Sequence, residues 1–404
     1  MKELLGNKVF RIIMATDFIQ QICIWIRNIS VLFFIIDMTD ADPVAVSLIT
    51  VFEYLPMFIF AYIGGTLADR WDPKKTMIIG DFLSAISVFS ILILISQGLW
   101  QAVFAATLVS SVVSQFSVPS SSIIFKKHID EKYVTQAVSL SQSWQSLFLI
   151  VGPVLGTLLY GSIGLSYSLA IIAFMFLVSS IVQFALPSGR KAAEATKTSL
   201  FVEMKEGLRY LKSNRGLKVI CVLLAVLGLA EGLIQPLTVY LVTDRLGIEK
   251  ESLQWLYSLS GIGLLAGAIV SASFVNRFKT RTILVTGMII FAVVTVIEVL
   301  STVVFLTAAM CLLSGAVLAF FQVAINTPLI KTVKAEYIGR VSGLITPVML
   351  GGILIGSGLS GVLMKQLTLI PMFIMSAGIM LVCALIALGY REEDAVQAVL
   401  QSEG

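Results

Sequence analysis

The stretch Gly65-Thr66-Leu67-Ala68-Asp69-Arg70-Trp71-Asp72-Pro73-Lys74-Lys75-Thr76, with Gly80 beyond it, has a counterpart later in the chain. Val275-Asn276-Arg277-Phe278-Lys279-Thr280-Arg281-Thr282, with Gly287 beyond, repeats its order of polar, cationic and glycine positions. Asp69 to Gly80 and Asn276 to Gly287 have the same spacing, at an offset of 207 residues. A second correspondence joins Tyr133-Val134-Thr135-Gln136 to Tyr337-Ile338-Gly339-Arg340. Each basic loop lies between two long apolar runs. A loop of this kind, repeated once, predicts two halves built on one plan.

Outward from these loops, apolar runs of about 20 residues, the length that spans a bilayer, fall at roughly 11–37, 43–68, 76–97, 99–124, 136–160 and 165–187. Six more fall at roughly 217–243, 252–276, 282–302, 304–328, 339–364 and 367–390. Backbone groups in lipid must be hydrogen-bonded within the segment, so the runs are helices. The predicted fold class is an all-α membrane protein of twelve transmembrane helices in two pseudo-symmetric six-helix bundles. Composition agrees: the 404 residues are 57% hydrophobic and 13% charged, with a mean hydropathy of +0.96. A soluble chain carries about 25% charged residues, and one this apolar would have no polar surface to show to water.

Charge placement predicts orientation. With the N-terminus in the cytoplasm, 24 of the 28 Lys and Arg residues fall in inner segments and only Arg245, Lys250 and Lys365 in outer ones. Arg27 is the last, inside the first span. Both termini are then cytoplasmic, and the compact loops with no organelle-targeting signal point to a multi-pass plasma (bacterial inner) membrane protein. The first apolar run is too long for a signal-peptide core of about 7–15 residues, so it is expected to remain as a helix. The domains expected are 1–187, a linker at 188–216, 217–390, and a tail at 391–404. In the linker Leu200, Met204, Leu208 and Leu211 recur at helical spacing, which predicts an amphipathic helix at the membrane surface.

At the motifs quoted above the chain resembles the major facilitator superfamily over nearly its whole length. The family pattern is matched at Gly65, Asp69, Arg70, Lys74 and Lys75, and echoed at Asn276 and Arg277. Asp72 stands where the family has glycine, and Pro73 where it has a basic residue. The resemblance implies alternating access, with this loop as a gating latch between two arrangements of the bundle. Gly152-Pro153-Val154-Leu155-Gly156 in the fifth span is similar to the core of the family's antiporter motif. There small residues permit close packing and Pro153 bends the helix. The loop and the segment Glu206-Gly207-Leu208-Arg209-Tyr210-Leu211 look most like the macrolide-efflux and enterobactin-exporter branch.

Ionisable residues within spans are costly and usually functional. Arg27 is ten residues before Asp37 and Glu53 ten residues after Pro43. Both therefore lie about 15 Å from the outer boundary on consecutive antiparallel helices, and an Arg27–Glu53 pair or shared wet site is expected. Protonating Glu53 would break such a pair. Asp17, Gln20, Gln21 and Asn28 share the polar side of the first span with Arg27. Glu231, Gln235 and Thr238 follow helical spacing beside Pro236, and Glu231 is the second carboxylate candidate for proton coupling. Gln115, Gln142, Gln145, Gln322 and Asn326 are weaker cavity candidates. Glu298 is expected to be wetted, near the outer end of its span.

Cys23, Cys221, Cys311 and Cys383 lie within apolar runs and are read as reduced packing residues. No metal spacing, nucleophile motif or phosphate-binding Gly-Lys-Ser/Thr loop is present. An enzyme, a nucleic-acid binder and an ATP-driven pump are therefore not expected. The reading is a monomeric secondary transporter with no cofactor other than the coupling proton. It would export amphipathic compounds such as antibiotics, or a secreted metabolite, with membrane lipids as its surroundings. Uptake of a nutrient or siderophore is the runner-up, and a non-transporting membrane sensor or scaffold is the alternative from another class.

Overall fold

The computed structural model describes residues 2–187, 200–274, 277–333 and 335–390. After a short helix at Lys2–Gly6, four helices follow singly: α1 (Lys8–Met38), α2 (Pro43–Arg70), α3 (Pro73–Ser96) and α4 (Val103–His128). Helix α5 (Glu131–Gln183) has 53 residues, enough for two crossings at 1.5 Å per residue. Gly164, with φ +71° and ψ −177°, breaks it between the fifth and sixth spans. The amphipathic linker helix is α6 (Leu200–Ser213). Then come α7 (Arg215–Ile234), α8 (Leu253–Phe274), α9 (Thr280–Leu300), α10 (Val304–Thr332), α11 (Ala335–Leu367) and α12 (Leu369–Ala387). Among the described residues, eleven continuous helical stretches are long and apolar enough to cross a membrane, and the divided α5 supplies the twelfth crossing.

Local sequence sets the helix ends. Asn7 accepts hydrogen bonds from the Val9 and Phe10 amides at the start of α1, and donates to the His128 carbonyl at the end of α4. Asp72 accepts from the Lys74 and Lys75 amides at 3.0 and 3.3 Å, with Pro73 at the first turn of α3. These two departures from the family loop therefore form a helix start, because Asp caps free amides and Pro has none to leave unsatisfied. Lys74 donates from Nζ to the Phe184 carbonyl at 2.8 Å and to that of Leu186, where α5 ends. A cation there meets the unpaired carbonyls and the negative end of the helix dipole. The side chains of Gly65, Asp69, Arg70 and Asn276 lie outside the described residues.

The chain divides into two units, Met1–Ala41 with Phe52–Lys197 and Asp42–Val51 with Thr198–Gly404. In the first, α1 packs on α5, and α3 packs on α4 and α5. Their core joins Cys23 and Ile26 to Val88, Leu169, Ile172 and Phe176. In the second, α7 packs on α11 and α12, and α9 on α10 and α12. The partners recur in the same order in both units, as the sequence repeat predicts. Small residues bring the leading pairs together: a Cβ on Gly156 of α5 would lie 2.8 Å from the Ile29 Cβ of α1, and one on Gly152 would enter the Trp25 ring. In the second unit Gly228 and Gly232 of α7 meet the α11 backbone at Met349 and Ile353.

Asp42 and the first nine residues of α2, to Val51, cluster with the second unit while the rest of α2 belongs to the first. The domain boundaries expected at 187 and 217 did not foresee this, because the contact is long-range and leaves no periodicity. Gly361 of α11 meets the Pro43 carbonyl, and Lys365 Nζ pairs with Asp42 Oδ1 at 2.9 Å. Burial alone would raise the Asp42 carboxyl. The hydrogen bonds from Lys365 and the Val44 amide, with the Lys365 charge, hold it below its ordinary range.

Candidate functional site

Helix α1 brings its polar residues together with those of α5. Asp17, Gln20 and Gln21 of α1 line one cleft with Ser141, Gln142 and Gln145 of α5. Ser114 and Ser117 of α4 add hydroxyls, and Trp144, Phe125 and Ile24 add apolar wall. Ser141 donates to Asp17 Oδ2 at 2.7 Å. Phe18 stands edge-on to Trp144 and to Phe148, each at 5.3 Å between centroids, which fixes the aromatic wall. Gln115 donates to Ser114 at 3.3 Å and supports the cleft without lining it.

Behind the cleft is a group that the sequence reading did not single out. Asp81 of α3 is 1% exposed. It accepts from Gln20 Nε2 at 2.9 and 3.1 Å, from Ser179 Oγ at 2.6 Å and from Gln183 Nε2 at 2.8 Å. Every donor is neutral. A buried carboxylate needs such partners, since stripping its water without replacement is costly. One acidic residue inside the third apolar run was the available signal.

Further along α1, Arg27 is 3% exposed. It donates from Nε and Nη2 to Asn28 Oδ1 at 3.1 and 2.7 Å. Asn28 in turn hydrogen-bonds Glu53 of α2, and Arg27 and Glu53 attract each other electrostatically. The expected pair is therefore joined through Asn28. Arg27 Nη1 is buried without a hydrogen-bond partner.

In the second unit α7 gives way at Ile234 to a 3-10 turn at Gln235–Leu237, one helical turn at Thr238–Tyr240 and a π turn at Leu241–Arg245. Pro236 causes the break, because it has no amide to offer the carbonyl of Gly232 four residues back. Ser357 of α11 donates to that carbonyl at 3.2 Å, and Ser360 donates to Leu233 at 2.7 Å. Glu231 lies in the last turn of α7 before the break, with Oε1 buried and unbonded. Glu298 of α9 is 7% exposed, not wetted as expected, because Cys311 and Ser314 side chains hydrogen-bond it. Glu231 and Glu298 repel each other, and no cation is recorded against either carboxylate among the described residues. Gln235 starts the broken segment, while Gln322 and Asn326 of α10 are exposed and belong to no shared pocket among those described. Arg277 lies 5.9 Å over the Phe274 ring, and Lys75 is exposed at the start of α3. All four cysteines are free thiols, three of them buried. No group of three or more metal-ligating side chains occurs among the described residues.

Twelve crossings in two repeated units, with carboxylates buried inside them, define a polytopic membrane transporter. The chain belongs to the major facilitator superfamily: residues 4–401 match the family described as "Transmembrane secretion effector". It is 27% identical to the MFS-type transporter YfiS of Bacillus subtilis, over 95% of this chain and 93% of that protein. It is 24% identical to macrolide efflux protein A of Streptococcus pyogenes, over 89% of each chain. Among solved structures it superposes on the nucleoside transporter NupG with a TM-score of 0.77, covering 94% of this chain and 98% of that one, at 14% identity. The last likeness shows the fold alone.

Proposed function

We propose that this protein exports amphipathic small molecules from the cytoplasm in exchange for protons, by alternating access. One observation carries the reading: Glu53, Asp17, Asp81, Glu231 and Glu298 are carboxylates set within membrane-spanning helices, and Arg27 is the one cation recorded among them within the described residues. Ionisable groups in spans mark ion and substrate paths. Glu53 is the leading coupling site, because protonation removes its attraction to Arg27 and frees Asn28. That change biases the packing of α1 against α2. Glu231 is the second candidate, beside the broken helix of α7, the kind of discontinuity that transporters use for sites. The likeness to macrolide efflux protein A supports export and an amphipathic substrate. The loop at Lys74 and its counterpart at Arg277 serve as the gating elements. The protein works as a monomer in the bacterial plasma membrane, with both termini cytoplasmic.

Efflux of a panel of fluorescent amphipathic dyes from cells overproducing the protein tests this. Wild type and Glu53→Gln are compared with and without a protonophore. Efflux that stops with the protonophore and is lost in the variant supports the reading. Dye accumulation driven by the protein, or efflux indifferent to the protonophore, contradicts it.

A further inference from the structure

Gln20 has its amide nitrogen turned away from the cleft it lines. Nε2 donates to both oxygens of Asp81. A carboxylate that also receives Ser179 and Gln183 on the same side can only take donors, so it fixes which end of the Gln20 amide points where. The Gln20 oxygen is left for the cleft. The Asp17 carboxylate lies three residues earlier on α1, with Ser141 holding Oδ2 and no partner recorded on Oδ1. No Lys, Arg or His lines this cleft. Its α1 wall thus offers an anionic oxygen and a neutral carbonyl oxygen about one helical turn apart. Facing them is the aromatic wall of Trp144, held edge-on by Phe18.

The geometry points to a binding site for a protonated amine within the first unit. Asp17 is the anchor for the N–H-bearing cation, Gln20 the second acceptor, and Asp81 the positioning residue that sets the Gln20 amide. An apolar ring system on the same ligand lies against Trp144 and Phe125. The site deepens the export reading, on which it rests, by naming the substrate class as a cationic amphiphile with at least one N–H. A quaternary ammonium has the charge and no hydrogen to donate.

Binding to the purified full-length transporter in detergent tests this with three probes. They are propranolol, its quaternary N,N-dimethyl derivative, and the neutral naphthyl ether diol in which hydroxyl replaces the amine. Wild type should bind propranolol about tenfold or more tighter than the diol, the scale of one charge-assisted hydrogen bond. The quaternary derivative should fall between them. Asp17→Asn should abolish the preference over the diol. Gln20→Met, which leaves Asp17 as the one acceptor of the pair, should narrow the preference over the quaternary derivative. Asp81→Asn should do the same, since its amide gives one acceptor and a competing donor; Gln20→Met decides the matter if that variant does not fold. A purely structural role for Asp81 would weaken all three probes together. Equal affinities in wild type, or a preference unchanged in Asp17→Asn and Gln20→Met, overturn the site. A preference that obeys these expectations in a protein that exports no dye contradicts the export reading alone.

Discussion

Thr368 holds the backbone conformation of Gly164, 204 residues earlier: φ +67° and ψ 177° against φ +71° and ψ −177°. Each sits where one span of a unit turns into its last. The offset equals that between Tyr133 and Tyr337, so the two turns are copies. Only glycine adopts this region without strain, and a β-branched residue there costs about 1–3 kcal/mol. Thr368→Gly should therefore stabilise the protein by about 1 kcal/mol, after the entropy of a new glycine in the unfolded chain is subtracted. Gly164→Thr should destabilise it. Thermal unfolding in detergent reads both, and a fall in stability for Thr368→Gly contradicts the assignment.

Arg27 is buried and held by Asn28 and the charge of Glu53. Removing one member of a buried charged set strands the other at a cost of about 3–5 kcal/mol. Arg27→Met should lower the melting temperature markedly, and the double variant Arg27→Met with Glu53→Met should recover much of the loss. Equal losses from single and double variants would show that the two charges do not depend on each other.

The close approach of α5 to α1 rests on Gly152 and Gly156. Gly156→Val would press on Ile29 and the Trp25 carbonyl, and overpacking of this kind costs about 1–3 kcal/mol. Yield of folded monomer by size-exclusion chromatography should fall, whereas Gly161→Ala, with open space around its Cβ, should leave it unchanged.

The Asp42–Lys365 pair is exposed, so solvent screening limits it to below about 1 kcal/mol. The Asp42 carboxyl is held below its ordinary range. Its contribution is then complete above the unfolded carboxylate range, near pH 4, and is lost as pH falls below that. Asp42→Asn should change stability slightly at neutral pH and not at all at strongly acid pH. A difference between variant and wild type that grows on acidification would reverse the sign and contradict the pairing.

The fold was readable because lipid imposes a length on every apolar run and a helix on every crossing. The repeat was readable because its loops are polar and short. In the first unit, Asp17, Gln20, Gln21, Gln142 and Gln145 come together because helical spacing put them on single faces. Asp81 escaped notice because its partners, Ser179 and Gln183, are a hundred residues away, and one carboxylate in an apolar run carries no pattern. Asn28 was visible on the polar side of the first span, but its place between Arg27 and Glu53 depends on side-chain geometry. Glu298 was misplaced because distance along a helix gives depth and not the identity of neighbours such as Cys311.

Proton exchange is tested most directly in proteoliposomes of the purified protein loaded with an exported dye. An imposed pH gradient, with no ATP and no other ion gradient, should drive dye against its concentration, and dissipating the gradient should stop it. Glu53→Gln should still exchange dye for dye while failing to accumulate it. Accumulation by wild type without a pH gradient, or full accumulation by Glu53→Gln, would contradict proton-coupled transport through Glu53.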